Sequence, residues 1–117
     1  MVEVLARDNV NGQFIGLQVK TAVPAEWGEA HIHIRKATLV PARTTWIVGL
    51  AWMAGESRFA DECLMVPTED LTRIAIDGGD RWVLNFHPHS PERTPLDRYR
   101  QPRADLGKLI SELSSIR

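Results

Sequence analysis

The stretch MVEVLARDNVNGQFIGLQVKTA, residues 1–22, decides the fold of this chain. Polar and apolar residues alternate from Val2 to Arg7 and again from Gln13 to Thr21, which is the period of a half-buried β-strand. Between the two segments, Asn11-Gly12 adopts positive φ at low cost, as a tight turn requires. The stretch therefore predicts a β-hairpin.

The second strand of this hairpin carries Gln18 and Lys20, two residues apart. Their side chains share one face, about 6 to 7 Å apart along the strand, so both can address one phosphate. The first strand offers a carboxylate, either Glu3 in mid-strand or, as the second choice, Asp8 at the turn. Oxygen ligands for a divalent ion beside a cation suit phosphodiester hydrolysis. The alternative interpretation is a solvated polar face of an ordinary strand.

The triplet Gln18-Val19-Lys20, in its context IGLQVKTA, resembles the signature of the PD-(D/E)XK nuclease-like superfamily. In that signature an acidic residue on one strand faces an acidic-x-lysine triplet on the next, and several branches, including bacterial domains of unknown function, carry glutamine instead of the second acid. The downstream segments TTWIVGLAW, FADECLMVPTEDL and RWVLNF are similar to the strands that follow the signature in that group.

The resemblance implies a restriction-endonuclease-like core acting on DNA with Mg²⁺. The catalytic residues would be Glu3, Gln18 and Lys20. Gln18 would hold the metal together with Glu3 or Asp8, and Lys20 would stabilise the transition state. The superfamily core has a helix and a strand before its acidic residue and a helix after the triplet. This chain begins almost at Glu3 and shows no helical pattern between Lys20 and Thr44, so we expect an N-terminally shortened core.

The rest of the chain predicts further strands and two helices. Strands are indicated by segments that alternate in polarity or are continuously apolar. Helices are indicated by a segment that starts at a capping threonine and by an apolar stripe near the C-terminus. The proline-rich stretch 87–103 indicates an irregular connection across the surface. The predicted strands are 30–38, 44–53, 63–66, 73–76 and 81–86; the predicted helices are 68–74 and the segment from 105, with Leu106, Leu109, Ile110, Leu113 and Ile116 on one face. The predicted fold is α/β or α+β, a mixed, largely antiparallel sheet with a C-terminal amphipathic helix.

Composition limits the classes of function. The 117 residues have a formal charge of −1, 44% hydrophobic residues and one cysteine, Cys63, which excludes a disulfide framework and is compatible with a reducing compartment. No apolar run is long enough to span a bilayer, and the N-terminus lacks the pattern of a signal peptide. We therefore expect a single cytoplasmic domain, residues 1–117, without membrane contact.

Two clusters of side chains are candidate binding sites. Arg98, Arg100 and Arg103 lie in an arginine-rich stretch that is either a solvated loop or a patch that contacts DNA phosphates. The triplets His31-Ile32-His33 and His87-Pro88-His89 have the spacing of metal ligands on a strand, as in metal-binding jelly-roll barrels, although exposed or structural histidines are the ordinary interpretation.

Two functional hypotheses follow. The first is Mg²⁺-dependent hydrolysis of DNA by a nuclease-like domain. The alternative is a non-catalytic protein-interaction or nucleic-acid-binding module that keeps the nuclease-like sheet. Such a module would form a homodimer or hetero-complex through an exposed sheet edge, because unpaired edge strands bind other strands.

Overall fold

A computed structural model describes the backbone of residues 2–7, 14–25, 28–39, 41, 44–89 and 95–108, and the side chains from residue 16 onward within those ranges. The strands are β1 Val2–Arg7, β2 Phe14–Ala22, β3 Ala30–Arg35, β4 Thr45–Met53, β5 Arg58–Phe59, β6 Glu62–Pro67, β7 Ile76–Asp77, β8 Arg81–Phe86 and β9 Arg100–Pro102. The helix α1 spans Leu71–Ile74, a second helix α2 begins at residue 106, and short 3-10 helices span Lys36–Thr38, Thr68–Asp70, Pro95–Tyr99 and Arg103–Asp105.

The described strands form two sheets. The first sheet has the order β1-β2-β4-β6-β9, with β5 paired to β4, and the second has the order β3-β8-β7. All pairs are antiparallel except β2 and β4, which run parallel. The predicted class is confirmed: a mixed α/β fold with mixed, largely antiparallel sheets and a C-terminal helix.

The strand β4 is buried on both faces, as its nearly continuous apolar sequence predicts. Ile47 on one face is 0% exposed and Val48 on the other is 3% exposed. Ile47 belongs to a core between the two sheets, which includes Ile32 and Leu84 from the second sheet. Val48 belongs to a smaller core on the far side of the first sheet, against which Leu106 of α2 packs.

The connection between the parallel strands β2 and β4 contains a strand. A parallel crossover is usually a helix, but in the described residues between β2 and β4 the chain forms β3 and one 3-10 turn. Residues of β3 alternate strictly between buried and exposed, with Ala30, Ile32 and Ile34 in the core. The second sheet therefore covers the first, and the outer side of β3 faces solvent.

Several segments differ in detail from the prediction. Residues 36–38 form a 3-10 helix instead of the end of a strand, and residues 73–74, claimed by both a predicted helix and a predicted strand, belong to α1. Thr68, expected to cap a helix, is the first residue of a 3-10 helix, and its buried hydroxyl lies 2.6 Å from that of Thr45. The stretch after β8 contains a 3-10 helix and the strand β9, which pairs with β6. Within the described parts of the chain, no helix has both the length and the apolar character needed to cross a membrane.

Candidate functional site

Glu3 and Gln18 are direct partners across the antiparallel pair of β1 and β2. Directly opposed residues project to the same face of a sheet, and Lys20, two residues further along β2, shares that face. The backbone therefore brings the positions of Glu3, Gln18 and Lys20 to one face of the first sheet, as the sequence predicts. Asp8, the second candidate carboxylate, lies outside the described residues.

This face is the one turned toward the second sheet. Gln18 is the partner of the fully buried Ile47, and Lys20 is the partner of Gly49. Gly49 in turn lies against the core residue Ile32. Gln18 and Lys20 are half-buried, so these two polar residues occupy the flank of the core rather than an open solvated face.

The amide of Gln18 has an unusual environment. Its Oε1 is buried, and no described group donates a hydrogen bond to it. A buried acceptor without a donor costs about 1–3 kcal/mol relative to a satisfied one. Native proteins rarely retain such groups without a water, an ion or a catalytic role. Gln18 Oε1, the oxygen that the sequence predicts to bind a metal, is therefore also the oxygen that receives no hydrogen bond from a described residue.

The donor chemistry fits Mg²⁺. An amide oxygen and the carboxylate expected from Glu3 are hard oxygen ligands of the kind Mg²⁺ takes, and this ion keeps several of its waters. Among the residues with described side chains, no group of three or more His, Cys, Asp or Glu is arranged to hold a metal. The side chains of Glu3 and Asp8 lie outside that set, so Gln18 supplies the described donor.

The three predicted phosphate-contacting arginines have different surroundings. Arg98 is exposed, and Arg103, also exposed, donates from Nε to the carbonyl of Ala60 at 3.2 Å. Arg100 is only 6% exposed; its Nη2 donates to Glu62 Oε1 at 2.6 Å, and its guanidinium lies 4.9 Å from the centre of the Phe86 ring. A phosphate can reach Arg100 only if the pair with Glu62 opens.

Arg100 and the triplet lie on the same face of the first sheet, but on strands that are three strand spacings apart. One row of cross-strand partners runs from Lys20 through Gly49 and Leu64 to Arg100. Three strand spacings of about 4.8 Å separate the two ends of this row by about 14 Å. The sheet brings Glu3, Gln18 and Lys20 together and leaves the arginines apart from them.

The two histidine triplets meet at a carboxylate that the sequence analysis missed. Glu29 Oε1 lies 3.5 Å from His31 Nε2, and Glu29 Oε2 lies 3.1 Å from His87 Nε2. His31 Nδ1 is also 2.7 Å from Asn85 Oδ1. The antiparallel register of β3 and β8 creates this cluster, and that register is a long-range pairing for which the sequence shows no local signal. His33 and His89 are exposed.

Cys63 is a fully buried free thiol. Burial is the main cause that raises its pKa to about 11, with a smaller contribution from Glu62 against a lowering by Arg103. A thiol with such a pKa is protonated at neutral pH and is a poor nucleophile. The described environment therefore makes Cys63 an inert thiol.

The fold and the candidate site together define a class of protein. It is a mixed α/β domain in which the half-buried side chains of a glutamine and a lysine lie on the core-facing side of a hairpin. Comparison of the chain with protein-family models, curated proteins and solved structures gives no match.

Proposed function

We propose that this chain is a nuclease-like domain that hydrolyses DNA phosphodiesters with Mg²⁺. The observation that carries the proposal is the buried, unsatisfied Oε1 of Gln18 at the position directly across from Glu3. An apolar residue would fill this core-facing position at a lower cost in free energy. The amide there is explained if its oxygen binds a ligand.

Each residue has a defined role in this proposal. Gln18 Oε1 and the Glu3 carboxylate hold the ion, and Asp8 is the second candidate for the carboxylate. Bound Mg²⁺ supplies Lewis acidity that polarises the phosphate and lowers the pKa of a water. Lys20 projects from the same face as Gln18 and offsets the negative charge that develops on the phosphate oxygens.

The exposed Arg98 and Arg103 are the arginines that we assign to backbone contacts with DNA. Arg100, the third member of the predicted set, joins them only after releasing Glu62. We place the domain in the cytoplasm, since its one cysteine is a buried free thiol that needs no oxidising compartment.

The test is cleavage of plasmid and linear DNA by the purified chain, with Mg²⁺ and with a chelator. Wild type is expected to cleave with Mg²⁺ alone, and Lys20→Ala is expected to lose about two orders of magnitude in rate, the usual effect of removing one transition-state donor. Lys108→Ala, an exposed lysine at the start of α2, is the matched control and should keep the wild-type rate. Wild-type cleavage by Lys20→Ala would overturn the assignment.

One observation favours the second candidate, a non-catalytic interaction module. The described pairings join β1, an edge strand of the first sheet, to β2 alone. An edge strand offers backbone donors and acceptors to a second strand, from another copy or from a partner protein. This candidate predicts a concentration-dependent molar mass in light scattering and no effect of Mg²⁺ on the melting temperature; the nuclease proposal predicts stabilisation by Mg²⁺.

A further inference from the structure

The second sheet has an exposed outer face, which we define by His31, His33 and Arg35 of β3, Arg81 and Val83 of β8, and Ile76 of β7. The register places His33 beside Val83, Arg35 beside Arg81, and Ile76 on the other side of Val83. His33 and Arg35 are exposed, and Ile76 keeps 54% of its surface exposed. This face points away from the first sheet and thus away from Gln18 and Lys20.

Within the described part of the chain, His33 and Arg35 of the outer face form no side-chain hydrogen bond or ion pair. Most other described cations are paired with carboxylates: Lys36 with Asp77, Arg58 with Glu56 and Asp61, Arg73 with Asp70, Arg81 with Asp80, and Arg100 with Glu62. The outer side of β3 therefore presents uncommitted positive charge in a chain that is otherwise balanced.

We propose that the outer face binds single-stranded DNA, with the phosphate backbone running along β3. His31, His33 and Arg35 recur every second residue, about 6.6 Å apart, which is similar to the separation of successive phosphates in an extended strand. Val83 and Ile76 form an apolar floor beside this row. Imidazole rings stack on bases only where the bases are unpaired, which favours a single strand over a duplex.

Carboxylates at or beside the outer face limit its positive charge. They are Glu29, shared by His31 and His87; Asp80, paired with Arg81 and also influenced by Arg35; and Asp77, paired with Lys36. Because these carboxylates already have partners, they cancel only part of the charge that Arg35 presents to a phosphate.

The test is fluorescence anisotropy with a labelled oligothymidylate in a chelator, so that hydrolysis does not contribute. Wild type is expected to bind the oligothymidylate, and added salt is expected to weaken this binding. Arg35→Gln should weaken binding and lower the slope of log affinity against log salt by about 0.7, the value for one phosphate contact on a single strand. Arg58→Gln, which replaces an exposed arginine at the start of β5, is the control and should leave the slope unchanged.

His33→Gln should weaken binding, because it removes an imidazole ring that can stack on an unpaired base. His89→Gln removes the same ring from an exposed position off this face and should leave binding unchanged. Equal weakening by the two variants would mean an effect that is not specific to the outer face and would overturn the proposal, as would equal binding of a duplex competitor. A loss of binding with Lys20→Ala, but not with Arg35→Gln, would place the DNA on the core-facing site instead. Circular dichroism checks the folding of each variant. Because no metal is present, failure here is separate from failure of the nuclease assay.

Discussion

Gly49 of β4 lies directly against Ile32 of β3, so closely that a Cβ at Gly49 would overlap Ile32 Cδ1. The same Cβ would lie 3.5 Å from Cβ of Leu64 on the neighbouring strand. Ile32 is 1% exposed, so its side chain has little room to move away. The glycine lets the two sheets approach each other in the same cross-strand row as Lys20.

We predict that Gly49→Ala destabilises the fold. Overpacking a well-filled core costs about 1–3 kcal/mol, because side chains and backbone must shift to accommodate the methyl group. The measurement is the free energy of unfolding from urea denaturation. Gly55→Ala is the matched control: a Cβ there meets no atom within 4 Å, and the change should stay within about 0.5 kcal/mol. Equal stability of the two variants would show that the sheets do not meet as closely as described.

Gln18→Leu is expected to have opposite effects on stability and on metal binding. Removing a buried acceptor that lacks a donor should raise the free energy of unfolding by about 1 kcal/mol. The same change removes the described Mg²⁺ ligand, so the stabilisation by Mg²⁺ expected for wild type in a thermal melt should disappear. Gln101→Leu on β9 is the control and should keep the response to Mg²⁺. A Gln18→Leu protein that still responds to Mg²⁺ would exclude Gln18 as a ligand.

The pair of Arg100 and Glu62 should contribute more to stability than the exposed ion pairs. Arg100 is 6% exposed, so Glu62→Gln leaves a buried guanidinium without its counter-charge, at a cost of about 1–3 kcal/mol. Glu56→Gln breaks a comparable contact to Arg58, in which both side chains are more than 40% exposed, and should cost clearly less. Chemical denaturation of the two variants side by side gives the comparison. An equal loss of unfolding free energy in the two variants would mean that the burial of Arg100 does not strengthen its pair with Glu62.

The parts of the fold that sequence predicts are those set by local patterns. The alternation of polar and apolar residues in 2–7 and 14–22 specifies the hairpin. Because one face of the hairpin is apolar, the register of the two strands is fixed, and this register makes Glu3 the partner of Gln18. The apolar run of β4 likewise predicts burial on both faces. For the candidate site, period-2 geometry was sufficient to place Gln18 and Lys20 together.

The parts that sequence does not predict depend on distant residues. The strand β9 has three residues, the last of them a proline, and its Arg100 donates to Glu62, 38 positions earlier. The grouping of Glu29 with His31 and His87 depends on the pairing of β3 with β8 across about fifty residues. The residues around Thr68 in the sequence do not tell whether its hydroxyl caps a helix or lies buried beside the hydroxyl of Thr45. Sequence also does not tell which face of the hairpin the second sheet covers.

Lys36 should control the titration of Asp77. Its Nζ donates to Asp77 Oδ1 at 2.7 Å, and the backbone N–H of Gly79 donates to the same oxygen at 3.0 Å. These bonds, that of Lys36 first, hold the pKa of Asp77 below its ordinary value of about 3.9. Because the folded pKa is the lower one, the stabilisation by Asp77 is complete above the unfolded pKa and is lost as the pH falls through the folded pKa.

Lys36→Met should therefore raise the pKa of Asp77 toward 3.9 in an NMR titration of the carboxyl groups and flatten the loss of stability in acid. Asp80 is an internal control in the same turn, because its lowered pKa depends mainly on the hydrogen bond from Arg81 and should not change. If the pKa of Asp77 stays low in Lys36→Met, the Gly79 amide is the dominant partner and the assignment to Lys36 is wrong.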